Sequence, residues 1–76
     1  MKKEEFLVVL EDILQVDDPV EENCDLNAMD EWDSLSKMAI MAFFKKNFCI
    51  ELTLNSLGNI QTPADLIALA GDKIND

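Results

Sequence analysis

The chain has no histidine, no arginine and no tyrosine, and its only cations are six lysines. Without histidine, neither a Ser-His-Asp triad nor a Cys-His nucleophile can be built. A zinc site would also lack its commonest nitrogen ligand, and two cysteines far apart in sequence do not make a site alone. We therefore expect that the chain is not an enzyme and holds no specific metal ion.

Long apolar runs are also missing, and the first five residues are Met-Lys-Lys-Glu-Glu rather than an apolar leader. A bilayer-spanning helix needs about 20 predominantly apolar residues. The sequence therefore predicts no membrane insertion and a cytoplasmic location, in which Cys24 and Cys49 stay reduced. Sixteen acidic residues give a net charge of −10, which disfavours nucleic acid and anionic membranes as partners.

A chain of 76 residues is expected to form a single domain, here residues 1–76. Apolar spacings of three and four predict a first helix from about residue 3 to 15. Its inner stripe is Phe6, Val9, Leu10, Ile13 and Leu14. A second helix is predicted from Leu35 to Phe48, with its core face formed by Ile40, Met41, Phe44 and Phe48.

The connections between these segments differ in length. After Asp17-Asp18-Pro19 stops the first helix, Val20 to Asp33 reads as a long loop anchored by Val20, Leu26 and Met29. Residues 47–52 suggest a short extended piece, and residues 53–59 a brief helical turn.

The last helix has strong start signals. Thr62 is the predicted N-cap, Pro63 fits the first helical position and Asp65 the third. Its predicted inner face is Leu66, Ile67, Ala70 and Ile74, with Gly71 loosening or ending the final turns. The sequence thus predicts an all-α fold: a monomeric, small antiparallel bundle of three to four helices with a long first loop.

The run Asp30-Glu31-Trp32-Asp33-Ser34-Leu35 lies where this loop meets the second helix. Free N–H groups and the helix dipole at that position favour an attached phosphate. A serine there is most often only an N-cap. A capping box on Ser34 would require Glu or Gln where the chain has Lys37, and Asp33 can cap instead. The Ser34 hydroxyl would then point outward.

Asp33-Ser34-Leu35 resembles the attachment site of acyl carrier proteins, and the likeness continues in order along nearly the whole chain. The further matching pieces are Leu14-Gln15-Val16-Asp17, Asp25-Leu26, Ile50-Glu51-Leu52 and Thr62-Pro63-Ala64-Asp65-Leu66. The resemblance implies that Ser34 receives phosphopantetheine from coenzyme A, in a reaction performed by a phosphopantetheinyl transferase with magnesium. Asp33 would place negative charge beside that metal, and Leu35 would be a docking contact.

The resemblance also implies a function. The thiol of the arm would hold acyl intermediates as thioesters and present them to partner enzymes in fatty-acid, polyketide or related biosynthesis. Those partners would be an acyl-loading ligase or transferase and downstream synthase enzymes. Tethering would raise the effective concentration of the cargo at each partner.

Several residues depart from the fatty-acid carriers. Glu31-Trp32 stands where many of them have a glycine and a small residue, and Trp32 itself is typical of loop packing. The run Trp32-Asp33-Ser34-Leu35 is more similar to discrete carriers of specialised pathways, such as those of polyketide, nonribosomal or cell-envelope chemistry. Residues 34–48 carry a charge of +3, while the rest of the chain carries −13. We expect docking through Leu35, Lys37, Met38, Ala42 and Lys45 and poor service by partners that bind an acidic second helix.

Two alternatives remain open at this level, and a third is disfavoured. The same arm could serve an aminoacyl or peptidyl carrier of a nonribosomal pathway, or the chain could be an unmodified carrier-like interaction module. A calcium loop starting at Asp25 is disfavoured, because Asp30 replaces the required glycine and Ser36 replaces the required glutamate.

Overall fold

A computed structural model describes residues 1–75; Asp76, the last residue of the predicted domain, lies outside the described residues. The helices are α1 (Lys3–Leu14), α2 (Ser34–Phe48), α3 (Leu54–Gly58) and α4 (Pro63–Ala70), with 3₁₀ turns at Leu26–Ala28 and Gly71–Lys73. No strand forms within residues 1–75 beyond one isolated bridge between Lys2 and Asn75. The all-α prediction is confirmed, and the small fold is compatible with a helical bundle.

Helix α1 buries residues spaced by four. Phe6, Leu10 and Leu14 are buried, whereas the other two residues of the predicted stripe are only half-buried. The helix ends at Leu14 because Gln15 adopts the left-handed conformation, with φ 57°. The N–H groups of Gln15 and Val16 then donate to carbonyls of the last turn, so these carbonyls have hydrogen-bond partners although the helix has ended.

The long loop between α1 and α2 is tied to the rest of the fold at several points. Val20 and Leu26 are buried as predicted, but Met29 is only half-buried. The Leu26 N–H donates to the Gln61 carbonyl at 2.8 Å, and the Ala64 N–H donates to the Glu22 carbonyl at 2.9 Å. These bonds fix the loop against the start of α4, and so fix where the chain enters α2.

Helix α2 contributes an aromatic core. Ile40, Phe44 and Phe48 are buried, while Met41, predicted on the same face, is half-buried. The Phe44 ring meets the Phe6 ring edge to face at 6.0 Å, which packs α2 on α1. Residues 47 and 48 belong to α2, as the predicted bounds of the second helix require, so the extended piece predicted at residues 47–52 is wrong for these two residues. Residues 49–52 lie in neither a helix nor a strand.

The last part of the chain follows its start signals. Thr62 caps α4, with Pro63 at the first position and Asp65 at the third, all as predicted. The four predicted inner residues are buried: Leu66, Ile67, Ala70 and Ile74. Ile74, however, lies beyond α4, because Gly71 has φ 62° and ends the α-helix in favour of a 3₁₀ turn. The brief helical turn predicted at residues 53–59 is α3.

Candidate functional site

Ser34 is the first residue of α2, and its side chain is exposed. The preceding residue, Asp33, is the N-cap: its backbone is extended, and its Oδ1 accepts a hydrogen bond from the Ser36 N–H at 3.0 Å. The Ser34 hydroxyl has no hydrogen-bond partner within residues 1–75. The cap therefore leaves Ser34 available to chemistry from solvent.

The Asp33 carboxylate keeps its negative charge in this position. The N–H of Ser36 is the main cause of a lowered pKa for Asp33, because it donates to the charged form of the carboxyl group. The carboxylate also lies at the positive end of the α2 dipole. A negative charge thus stands in the residue next to the exposed hydroxyl at neutral pH.

Ser36 holds the loop against the first turn of α2, a role the sequence reading missed. Its side chain is buried, and its hydroxyl donates to the Glu31 carbonyl. Its N–H is the one that Asp33 caps, so Ser36 binds the loop through both groups. The only sequence signal was a small hydroxyl residue three positions after the N-cap, where a side chain can turn back toward the loop.

Trp32 belongs to the same loop, and its side chain packs into the hydrophobic core. It is buried, and its indole Nε1–H has no hydrogen-bond partner among the described residues. The Lys37 ammonium lies over the ring, 5.7 Å from the centroid, within the range of a cation–π contact. The interpretation of Trp32 as loop packing is confirmed.

The predicted docking residues fall on two sides of α2. Leu35 and Met38 are 76% and 57% exposed, and Ala42 and Lys45 are exposed beside them. Lys37 is two positions after Leu35, about 160° away around the helix, and its ammonium makes the cation–π contact with Trp32. The structure therefore brings four of the five together and separates Lys37 from them.

Lys46 joins this exposed face, although it was not among the predicted docking residues. It follows Leu35 by eleven positions, which is close to three full turns, so both side chains project in nearly the same direction. We call Leu35, Met38, Ala42, Lys45 and Lys46 the α2 outer face.

A groove of about 400 Å³ borders the α2 outer face. It is lined by Met38, Met41, Ala42, Lys45, Glu51 and Leu52. Lys45 and Glu51 form an exposed ion pair across it at 3.7 Å. A smaller depression of about 310 Å³ lies at the other end of α2, beside Leu35, and includes Glu31, Asp33 and Ser36.

Within residues 1–75, no three His, Cys, Asp or Glu side chains are placed to hold a metal ion together. Cys24 is half-buried and Cys49 is exposed, and both are free thiols. None of the helices in the described part of the chain has the length and apolar character needed to cross a membrane.

No protein-family model, no curated protein and no solved structure matches this chain. The residues around Ser34 and the surface of α2 are therefore the features from which a function can be inferred.

Proposed function

We propose that this chain is a cytoplasmic, monomeric acyl carrier protein whose Ser34 bears a phosphopantetheine arm. The observation that carries the proposal is the division of roles between two neighbours: Asp33 caps α2, and the exposed Ser34 hydroxyl has no partner in the described chain. A serine that served as the cap would have its oxygen engaged by backbone N–H groups. Here the Ser34 oxygen can receive the phosphopantetheine arm, because the hydrogen bond that caps α2 is accepted by Asp33 and is not broken.

The residues around Ser34 fit the phosphate of the arm. In the transfer reaction, the Ser34 oxygen would form a bond to the phosphorus of coenzyme A that bears the pantetheine. The phosphoanhydride bond from that phosphorus to the rest of coenzyme A would break, and adenosine bisphosphate would leave with the bonding electron pair. The transferase takes the serine proton. Asp33 would supply negative charge next to the magnesium of that enzyme, and the positive end of the α2 dipole would lie near the new phosphodiester.

Once bound, the arm supplies a thiol that holds an acyl group as a thioester. The chain itself positions the arm, because α2 and the loop that precedes it hold Ser34 at a fixed place on the surface. The loading ligase or transferase and the downstream synthase enzymes perform the bond chemistry. Their docking contacts would lie on α2 next to Ser34, where Leu35 and Met38 are exposed.

Intact-mass measurement tests the proposal directly. The purified chain is incubated with coenzyme A, magnesium and a broad-specificity phosphopantetheinyl transferase. The expected result is the addition of one arm, which Ser34→Ala abolishes. Ser56→Ala is the matched control, because Ser56 is also near a helix start but serves the cap of α3, and it should accept the arm normally. A chain that stays unmodified, or an arm that persists in Ser34→Ala, would overturn the proposal.

A further inference from the structure

The α2 outer face has a charge opposite to that of the rest of the surface. Residues 34–48 contain three lysines and no acid, in a chain with sixteen acidic residues and six lysines. Two of those lysines, Lys45 and Lys46, lie at the far end of the outer face from Ser34. Near Ser34 itself, the exposed charges are the acids of the loop: Asp30, Glu31 and Asp33.

Cations in the last turn of a helix are expected on dipole grounds alone, since they complement the negative end. That explanation covers the position of Lys45 and Lys46. It does not cover the absence of any acid over fifteen residues, nor the exposed apolar strip between the lysines and Ser34. Lys45 is also partly neutralised by Glu51, whereas Lys46 has no ion pair within the described residues.

We infer that the α2 outer face docks onto a protein partner whose own face is acidic where it meets Lys45 and Lys46. An apolar side chain of that partner would lie on Leu35 and Met38 or enter the adjoining groove. Charge complementarity assigns the orientation: the carboxylates of the partner belong at the C-terminal end of α2, and its reactive site lies toward Ser34. This inference rests on the proposed function, and it gives the partners a charge opposite to those that bind an acidic second helix.

Charge reversal tests the inference with transferases as probes. The first probe is a phosphopantetheinyl transferase with a basic carrier-binding face; the second is the same enzyme with those basic residues replaced by glutamate. The test variant is Lys45→Glu/Lys46→Glu. The matched control is Lys2→Glu/Lys73→Glu, which changes the net charge equally at two exposed lysines outside α2.

With the basic probe, the test variant should lower the KM for the carrier about tenfold, and with the acidic probe it should raise it by a similar factor. The control pair should change either KM less than twofold. Both effects should shrink as salt rises from about 50 to 300 mM, because the charges are exposed. If helicity by circular dichroism shows that the test variant does not fold, Lys45→Gln/Lys46→Gln replaces it, with about half the effect expected.

The outcomes separate the two proposals. If the wild-type chain takes no arm from either probe, the carrier function falls and the docking inference falls with it. If Ser34 takes the arm but the test variant and the control give the same KM values, the docking inference alone is overturned. Opposite shifts with the two probes, absent from the control, support it.

Discussion

Removing the Ser36 hydroxyl should loosen the junction that presents Ser34. In Ser36→Ala, the partly buried hydrogen bond to the Glu31 carbonyl is lost, while the backbone N–H that Asp33 caps remains. The Glu31 carbonyl keeps one partner, since it also accepts from the Asp33 N–H at 3.0 Å. The variant therefore isolates a single side-chain bond between the loop and α2.

The magnitude follows from what is lost and what is gained. A net hydrogen bond contributes about 1 kcal/mol, and the retained partner of Glu31 avoids the larger cost of a fully unsatisfied carbonyl. Alanine is the better helix former by up to about 0.5 kcal/mol, which offsets part of the loss. We expect the free energy of unfolding to fall by about 0.5–1 kcal/mol, which lowers the Tm of a domain this size by about 2–8 °C.

Urea unfolding followed by Trp32 fluorescence measures this difference in the free energy of unfolding. An unchanged m-value would show that the variant and the wild type expose the same amount of surface on unfolding. Ser56→Ala is the control, because it brings the same gain in helix propensity and loses only exposed bonds of the Ser56 hydroxyl, to the N–H and the hydroxyl of Thr53 at the start of α3. Its stability should stay close to wild type. If the two variants agree within about 0.3 kcal/mol, the Ser36 bond does not hold the junction.

Three further outcomes are expected. Leu26→Ala should lower the free energy of unfolding by about 2–5 kcal/mol in urea titrations, because Leu26 is fully buried, whereas Val8→Ala at an exposed site should change it little. Asp33→Asn and Asp65→Asn should each flatten the acid limb of the Tm–pH curve. Both folded-state pKa values are lowered from 3.8 by backbone N–H donors, so the stability they contribute is present above 3.8 and lost as the pH falls through the folded value. Raising salt from about 10 to 150 mM should increase the Tm in scanning calorimetry, since it screens a net charge of −10.

Apolar spacing predicted the helices well because burial dictates it. Phe6, Leu10 and Leu14 on α1, and Ile40, Phe44 and Phe48 on α2, recur every four residues and are all buried. The start of α4 was equally readable, since each of its capping residues satisfies a specific N–H group or fixes a backbone angle.

The ends of α1 and α2 were predicted to within one residue, but the backbone conformation that forms them was not. Gln15 and Cys49 both end helices in the left-handed conformation, with φ of 57° and 58°. Glycine or asparagine usually marks that conformation, so nothing in the sequence pointed to these two positions. The end of α2 at Phe48 was predicted, but alternation over residues 47–52 also suggested an extended piece that overlapped the last two residues of the helix.

At the candidate site, the sequence identified single residues and the structure supplied the relations between them. The cap by Asp33 and the exposure of Ser34 were both predicted from local rules. The place of Lys37 was not, because its partner Trp32 lies in a loop whose path depends on tertiary packing. Ser36 was missed because its bond to Glu31 closes only when the loop folds back on the helix.

If Ser34 carries the proposed phosphodiester, the order Asp33-Ser34 has a physical consequence. Had Ser34 been the cap, attaching a phosphate would have removed the oxygen that accepts from the first turn of α2, and modification would have frayed the helix. With the carboxylate of Asp33 in that role, the acceptor of the Ser36 N–H is the same before and after attachment. The added negative charge then meets the positive end of the α2 dipole, which offsets the repulsion from the nearby acids. Under the proposed function, adjacent residues would thus separate helix capping from modification, and the surface of α2 that partners would contact could stay the same with and without the arm.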